Sequence, residues 1–379
     1  MRICMVLSTA LPAYEGIGLY AWNLARHLYT QGHTVHMITH GEWNKPLREE
    51  VAGITIWRPA FWPVYPFHID VHTLFVAKVL HMLNSEIDVI HVHTPLVKLP
   101  CTPHPVLVTV HTPLKSSAPA DPGTLLTGWL VKLQTTLGVR LEQQVFAKAA
   151  CIMAVANSVA SDLEAYKIHS GAVTVIGNGV DTAIFNPVAE RSKTANPYFL
   201  TAGRLAPGKG LEDLIACAEL VLRQYPDYRF IIAGDGPLKR QLDQAIRQRG
   251  LEAQIVLLGH VSDRQRLATL YRNATAYVHP GHHKGLSTIL LEAMACGIPV
   301  VATANSGALD VLDGNNGLLV AAHQPTQLAE ALMRLIAQPA LGHDLGAQAA
   351  ETIRTRYSWN VIGQRYLQHY QSILGGRHA

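Results

Sequence analysis

The chain has 379 residues, more than one typical hydrophobic core requires, which predicts two domains of ordinary size. Lysine and arginine total 31 against 27 for aspartate and glutamate, and this small positive excess argues against nucleic acid as a partner. The five cysteines are scattered without paired or metal-type spacing, which favours free thiols and a cytoplasmic location.

The first half alternates short Val- and Ile-rich runs with helical patterns, which is typical of parallel sheets covered by helices. The opening MRICMVLSTALPA is short for a signal peptide and is better explained as a buried strand. No apolar run approaches the roughly 20 residues of a membrane-spanning helix. The predicted elements are strand 3–8, helix 17–31, strands 34–39, 88–93 and 106–111, amphipathic helix 124–149 and strand 151–155.

A polar, proline-bounded segment at 188–197 indicates a linker between the halves. We therefore expect a first domain of residues 1–188 and a second domain of residues 189–356. The second half repeats the alternation, with strand 198–202, helix 211–224, strands 228–233, 255–259 and 276–279, helix 286–296 and strand 299–303. The expected fold class is α/β, with two Rossmann-like doubly wound domains and a cleft between them.

Two glycines, Gly16 and Gly18, follow the first predicted strand and open the first helix, as in a dinucleotide-binding fingerprint. The loop from Ser8 is longer than that fingerprint uses, and the next strand ends at 39–41 without an acidic residue for a ribose, which argues against an NAD enzyme. The glycines can still bring backbone N–H groups close to a phosphate at the helix N-terminus. The alternative is a plain strand-to-helix turn.

A second glycine-containing loop, GRLAPGKG at 203–210, follows the first strand of the second half and precedes a helix. Such a loop lies at the carboxyl ends of the strands in a doubly wound sheet, so Arg204 and Lys209 are candidates for neutralising a diphosphate. Arginine supplies a planar fork of donors and lysine a point charge. The alternative is a solvated basic loop.

Several motifs agree in order and spacing with one family, and the chain resembles the retaining glycosyltransferases of the GT-B architecture, group 1 or family 4. The motifs are NGVD at 178–181, the loop at 203–210, AGDGP at 233–237 and LEAMACGIPV at 291–300, with DVIHVH at 88–93 and VTVH at 108–111. The resemblance covers nearly the whole chain. It also implies that a C-terminal helix, residues 357–379, packs back on the first domain.

The resemblance assigns roles to three charged residues of the second half and to one histidine. It implies that Arg204 and Lys209 bind the pyrophosphate of a nucleotide diphosphate sugar and act catalytically, by stabilising the leaving group. Glu292 would accept hydrogen bonds from the ribose hydroxyls. His111 matches a catalytic histidine near the reacting sugar, and its alternative is a satisfied histidine at a strand end.

Backbone groups would complete the donor site that the resemblance implies. The N–H groups of Gly285, Leu286 and Ser287, which open the predicted helix 286–296, would cradle the sugar and phosphate. Gly16 and Gly18 match the glycine loop that approaches the donor, although Glu15 takes the place of a first glycine.

Lys284 departs from the family pattern, which has a glutamate at this position. A lysine donates hydrogen bonds and carries the opposite charge, so the donor sugar must be recognised differently. Three explanations stay open. The sugar carries an anionic group such as a uronic acid carboxylate, or an ordinary sugar is held weakly, or the chain is an inactive sugar-nucleotide-binding partner.

No metal site is expected. His282 and His283 have no third and fourth ligands at suitable spacing, and no Asp-x-Asp motif occurs that would bridge a diphosphate through a metal. The implied enzyme is metal-independent and needs no cofactor, because the nucleotide sugar is its substrate.

The implied reaction is retaining transfer to a glycan, lipid-linked or small-molecule acceptor on the first domain, with the leaving diphosphate helping to deprotonate the acceptor. The aromatic segment WRPAFWPVYPF at 57–67 and the basic residues of helix 124–149 would allow peripheral contact with the inner face of a membrane. Packing over the domain is the alternative. A sugar-nucleotide epimerase of the same architecture and an inactive binding partner are the alternative functions.

Overall fold

The computed structural model describes residues 1–11, 16–41, 46–62, 67–95, 97–117, 125–188, 196–282 and 286–375. The chain divides into two compact units. The first consists of Met1–Gly177 and Ile362–Ala379, and the second of Asn178–Val361. The chain therefore returns to the first unit within its last helix.

The first unit is built on one sheet whose strands are mostly parallel. Its described strands are β1 Arg2–Leu7, β2 Thr34–Ile38, β3 Arg48–Val51, β4 Ile54–Trp57, β5 Val89–Thr94, β6 Val106–Val110, β7 Cys151–Ala154 and β8 Thr174–Val175. They lie in the order β3-β4-β2-β1-β5-β6-β7-β8, and β3 alone among these strands runs antiparallel to its neighbour. Every residue of β5 and β6 is buried, as expected for parallel strands covered on both faces.

Helices connect these strands. In the described part of the first unit they are α1 Gly16–Thr30, α2 His68–Met82, α3 Leu114–Ser117, α4 Leu125–Lys148 and α5 Asn157–Asp162, with 3₁₀ turns at Leu163–Tyr166 and Ser170–Ala172. The last helix of the chain is α13, Trp359–Gly375, and it packs against this unit from Ile362 onward. A Cβ added to Gly363 would lie 2.1 Å from the His27 ring, so a side chain there would separate α13 from α1.

The second unit is a doubly wound sheet in which every described strand is parallel to its neighbours. The strands are β9 Tyr198–Ala202, β10 Arg229–Ala233, β11 Ile255–Gly259, β12 Ala276–His279, β13 Val300–Thr303 and β14 Leu318–Val320. Their order is β11-β10-β9-β12-β13-β14, so the direction of winding reverses between β9 and β12. This reversal is the topological switch point of a Rossmann-like sheet.

The helices of the second unit pack around a core that includes Phe199, Leu214, Val221 and Leu332, all at most 1 % exposed. They are α6 Leu211–Gln224, α7 Lys239–Gln248, α8 Arg264–Asn273, α9 Thr288–Ala295, α10 Ser306–Leu309, α11 Pro325–Ala337 and α12 Pro339–Thr352, followed by a π-helical turn at Ile353–Tyr357. Among the described residues of the chain, no helix has the length and apolar character needed to cross a bilayer.

The predicted fold class is confirmed in both units, whereas the division between them differs from the predicted 1–188 and 189–356. The predicted linker begins later than the observed boundary, and its residues 189–195 lie outside the described part of the chain. One hydrogen bond shows why the boundary is early. Asn178 Nδ2 donates to the Leu286 carbonyl at 2.6 Å, which ties the NGVD motif to the second unit. Composition does not reveal such a bond.

Candidate functional site

The switch point of the second sheet carries both predicted donor-binding segments. The loop at 203–210 follows β9, and residues 280–287 follow β12, which is the next strand in the sheet. Ligands of doubly wound sheets bind outside the carboxyl ends of the strands at such a reversal. The second unit therefore places these two sequence motifs at one candidate binding site.

Glycines allow the loop after β9 to lie directly against the loop after β10. The amide of Gly203 donates to the Ala233 carbonyl, and the amide of Leu205 donates to the Asp235 carbonyl, both at 2.9 Å. A Cβ on Gly234 would lie 1.8 Å from the Gly203 carbonyl oxygen. The AGDGP motif thus supports the cationic loop, because any side chain at Gly234 would push the two backbones apart.

The same loop is also held against the segment after β12. Gly210 has a left-handed backbone with φ +64°, and a Cβ there would lie 1.9 Å from the Pro280 carbonyl oxygen. The His282 amide donates to the Gly208 carbonyl at 2.9 Å. Two neighbouring loops are therefore joined by backbone contacts, and Gly210 directs the chain into α6.

Both predicted cations lie on this loop. Arg204 is exposed and Lys209 is partly buried. Burial, and then the nearby charge of Lys209, lower the pKa of His279 at the end of β12 to about 4. His279 is therefore neutral at physiological pH, and the positive charge of the loop at 203–210 comes from the arginine and the lysine.

Glu292 is a buried carboxylate on α9, 7 % exposed. Arg264 Nη2 donates to its Oε1 at 3.1 Å, and the Arg264 guanidinium also lies 4.9 Å from the centroid of the Phe185 ring. Burial raises the pKa of Glu292 to about 7, although Arg264 acts to lower it. Sequence reasoning did not identify Arg264, which carries no motif of its own.

The remaining predicted donor residues are only partly within the described chain. Leu286 is buried, and Ser287 precedes α9 with an extended backbone and no side-chain capping bond. The helix thus begins later than the predicted 286. Lys284 and Gly285 lie outside the described residues, so their predicted roles stay predictions.

In the first unit, His111 follows β6 and belongs to a pair of histidines. His93 Nδ1 and His111 Nε2 are 3.1 Å apart, and burial lowers the pKa of His111 to about 3. The ring of Tyr20, on α1, lies edge-on to His111 with centroids 4.9 Å apart. His111 is therefore a neutral ring with a fixed neighbour, and it lies beside the helix that Gly16 opens.

A buried hydrogen-bond network, missed by sequence reasoning, lies behind this pair. The His91 ring bonds to the Tyr370 hydroxyl and to Thr109 Oγ1, each at 2.7 Å. Thr109 Oγ1 is 2.9 Å from the Tyr366 hydroxyl, which is 2.8 Å from the hydroxyl of Tyr20. The spacing of the two tyrosines in α13 was the available signal, because residues four apart share a helix face.

The glycines at the start of α1 have different environments. Gly16 has φ +67°, and among the described residues a Cβ there would meet no atom within 4 Å. Gly18 is buried within the helix. The left-handed backbone of Gly16 is therefore the reason that this position favours glycine. Glu15 lies outside the described residues.

The segment predicted to contact a membrane has mixed exposure. Trp57 is only 6 % exposed, whereas Trp62 and Phe67 are 55 % and 56 % exposed. Leu74 and Met82, on α2, are 67 % and 60 % exposed. Residues 63–66 lie outside the described chain. The aromatic residue within β4 thus packs in the unit, and the later ones present apolar surface to solvent.

Sequence spacing offered His282 no further metal ligands, but the structure places two potential ligands beside it. Its Nε2 is 3.0 Å from Oδ2 of Asp213, and His323 Nδ1 is 3.5 Å from the same oxygen. These partners are distant in sequence, so an argument from local spacing did not detect them.

Two family models match the chain, "Glycosyl transferases group 1" over residues 184–352 and "Glycosyltransferase Family 4" over residues 14–184. The glycogen synthase of Mycobacterium tuberculosis is 29% identical over 99% of this chain and 96% of its own. The phosphatidyl-myo-inositol mannosyltransferase of Propionibacterium freudenreichii is 26% identical over 100% of this chain and 97% of its own.

Solved structures show the same fold. Sucrose-phosphate synthase from Thermosynechococcus elongatus has a TM-score of 0.77 at 21% identity, covering 99% of both chains. HepE from Anabaena, in complex with UDP and glucose, has a TM-score of 0.75 at 19% identity, covering 98% of this chain and all 100% of its own. These similarities confirm the predicted GT-B architecture.

Proposed function

The chain belongs to the group 1 and family 4 glycosyltransferases, and from this premise we propose that it transfers a sugar from a nucleoside diphosphate sugar with retention of anomeric configuration. The observation that carries the donor assignment is the junction of the loops after β9 and β12 in the second unit. There Arg204 and Lys209 share one loop, which backbone contacts hold against the segment leading to α9 and Glu292.

The two cations of this junction suit a leaving nucleoside diphosphate. The Arg204 guanidinium offers a planar fork that can bind two phosphate oxygens, and the Lys209 ammonium adds a point charge. Their charge is fixed before the glycosidic bond breaks, so it stabilises the negative charge that develops on the diphosphate. In this proposal the transfer step needs neither a metal ion nor a cofactor.

Glu292 suits the ribose of the donor. A carboxylate accepts hydrogen bonds only, so it can hold two hydroxyl donors. Arg264 fixes one carboxylate oxygen in position and favours the ionised form. We assign no base to the donor, and UDP is the first nucleotide to test because HepE was solved in complex with it.

Retention of the anomeric configuration follows from the proposed position of the general base that deprotonates the acceptor. An oxygen of the departing diphosphate takes the proton of the acceptor hydroxyl on the face that the leaving group vacates, so the new bond forms on that same face. His111 is neutral down to low pH, and we propose that it hydrogen-bonds the donor sugar and carries no charge there.

We propose a glycan or lipid-linked acceptor for the first unit. Relatives are named for glycogen synthesis and for transfer to phosphatidyl-myo-inositol. Among the apolar side chains of this unit, Trp62, Phe67, Leu74 and Met82 are each more than half exposed. Lys78 lies on α2 one turn from both Leu74 and Met82, and exposed apolar groups combined with a basic residue favour peripheral contact with an anionic lipid surface.

The test is a panel of nucleotide sugars, uronic acid donors included, offered with glycan and lipid acceptors. We expect one donor to raise the melting temperature selectively and to yield a product whose anomeric configuration, read by NMR, equals that of the donor. An inverted product would contradict the retaining assignment. Turnover of a donor without any acceptor would favour the epimerase.

A Lys284→Glu variant in the same panel tests how the sugar is recognised. If Lys284 pairs with an anionic sugar, the variant loses that donor and gains neutral hexose donors. If UDP and GDP stabilise the protein as well as every sugar nucleotide does and no transfer occurs, the chain is an inactive binding partner.

A further inference from the structure

Three potential metal ligands from distant parts of the second unit meet beside the donor loop. Asp213 lies in the first turn of α6, His282 follows β12, and His323 lies between β14 and α11. We propose that they form a binding site for a divalent transition cation of the Zn²⁺ type, with water in an open coordination position. This cation takes no part in the transfer step proposed above.

The distances between the ligand atoms fit such a cation. Zn–N and Zn–O bonds of about 2.0–2.1 Å in a tetrahedral site place neighbouring ligand atoms about 3.3 Å apart. Asp213 Oδ2 is 3.0 Å from His282 Nε2 and 3.5 Å from His323 Nδ1, and all three ligand atoms lie within 4.8 Å of one another. A cation between them therefore requires only small side-chain movements.

The chemistry of the three ligands favours zinc over magnesium or calcium. Imidazole nitrogens bind borderline transition metals, whereas magnesium and calcium prefer sites made wholly of oxygen ligands. Two histidines and one carboxylate occupy three positions of a tetrahedral zinc ion and leave the fourth to water.

The site is partly formed in advance. The His282 amide is bonded to the Gly208 carbonyl, and its side chain is 17% exposed, so this ligand is held in place. His323 has a left-handed backbone with φ +58°, and its ring lies 3.9 Å from that of His282, centroid to centroid. A left-handed non-glycine residue is uncommon, and here it turns the imidazole toward the two other ligands.

The second nitrogen of His282 sets the expected strength of binding. His282 Nδ1 is buried and has no hydrogen-bond partner among the described residues. A metal-bound histidine usually donates this N–H to an acceptor, and loss of such a partner typically lowers metal affinity about 10- to 100-fold. We therefore expect an exchangeable site that a chelator empties without unfolding the protein, and binding that weakens as protons compete at low pH.

The experiment uses the untagged full-length protein after dialysis against a chelator. Zn²⁺ is titrated in competition with a chromophoric chelator, and Co²⁺ is added separately to record its visible absorption. The variants are His323→Ala, at an exposed residue, and Asp213→Asn. The matched control is His343→Ala, because His343 lies 3.6 Å from the carboxylate of Asp344 and pairs one histidine with one acid.

We expect one Zn²⁺ per chain, an affinity at least about tenfold lower in both variants, and no change in the control. The intense absorption of four-coordinate Co²⁺ should appear in the wild type and disappear in the variants. Melting temperatures without metal verify that the variants fold. The absence of saturable Zn²⁺ binding, or binding that both variants retain, would overturn the proposal. Neither result depends on sugar transfer.

Discussion

The two units hold their candidate site residues by different means. In the second unit, glycines at 203–210 and 234 let backbones touch, and the charged side chains extend from these loops. In the first unit, His111 contacts His93, and the neighbouring buried side chains form hydrogen bonds across long sequence separations, such as that between Thr109 and Tyr366. The comparison teaches that the proposed diphosphate site depends on backbone contacts between neighbouring loops, whereas the histidine site depends on hydrogen bonds between buried side chains.

The largest expected effect comes from the cations of the second unit. Removing the Arg204 or the Lys209 side chain by substitution with alanine should lower kcat about 10²- to 10³-fold, because each stabilises charge that develops in the transition state. Steady-state kinetics with the donor found in the panel measures it. Arg223→Ala is the control, since this arginine on α6 is exposed and forms its ion pair with Glu219. A comparable loss in the control would mean that net charge, and not position, matters.

Next in size is the cost of a side chain at Gly210. Gly210→Ala should lower the free energy of unfolding by about 1–3 kcal/mol more than Gly250→Ala. Both glycines have a left-handed backbone, with φ +64° and +67°, yet only the Cβ of the first would meet another backbone. Denaturant titration of both variants gives the difference. Equal losses of the free energy of unfolding in the two variants would show that Gly210 is required only for its left-handed backbone, and not for the contact between the loops.

Breaking the hydrogen-bond network of the first unit should lower the free energy of unfolding by no more than this. Tyr366→Phe removes a buried hydroxyl that bonds to Thr109 and Tyr20, and should lower the free energy of unfolding by about 1–3 kcal/mol. Tyr29→Phe, at a residue 44 % exposed, is the control and should be neutral within experimental error. Nucleotide affinity should stay unchanged in both. A loss of nucleotide affinity in folded Tyr366→Phe would contradict the conclusion that the proposed diphosphate site depends on backbone contacts between loops of the second unit.

His111 and Glu292 should contribute to the pH dependence of the free energy of unfolding with opposite signs. His111 has a pKa of about 3 when folded, below its usual value, so the unfolded chain binds more protons and stability rises with pH up to about 6.5. Glu292 has a pKa of about 7, so the folded chain binds more protons and stability falls between about pH 4.5 and 7.

Substituting either group removes its contribution to the pH dependence of the free energy of unfolding. His111→Asn should reduce the rise of this free energy with pH, and Glu292→Gln should reduce its fall, each by up to about 1.4 kcal/mol per pH unit. Unfolding titrations at a series of pH values measure both slopes, and variants that shift them in the same direction would contradict the assignment of the two pKa shifts.

The sequence was sufficient to predict the elements that follow one another directly along the chain. Gly203 and Gly210 punctuate a strand, a loop and a helix that follow one another directly, and α6 is found at its predicted residues. The four-residue strand β4 and helix α2 carry weaker patterns and were not predicted. Tyr366 could not be connected to Thr109 in advance, because only the return of the last helix to the first unit brings them together.

The same reason explains the errors at the edges of the second unit. The polar composition at 188–197 predicted a linker there. The observed boundary lies earlier in the chain, before Asn178, because the hydrogen bond from Asn178 to Leu286 joins this residue to the second unit. Asp213 and His323 were not recognised beside His282, since three separate segments of the chain must fold together before these side chains meet. Sequence motifs therefore predicted the residues of the proposed diphosphate site. The unit boundary and the cluster of Asp213, His282 and His323 depend on tertiary contacts that no motif shows.

The central claim is that the diphosphate of the donor binds at the loop of Arg204 and Lys209 in the second unit. Isothermal titration of UDP and GDP into the wild type, the Arg204→Ala/Lys209→Ala double variant and the Arg223→Ala control tests it most directly. We predict binding of at least one nucleotide by the wild type and the control, and a loss of affinity of about 100-fold or more in the double variant. Undiminished affinity in a folded double variant would contradict the claim.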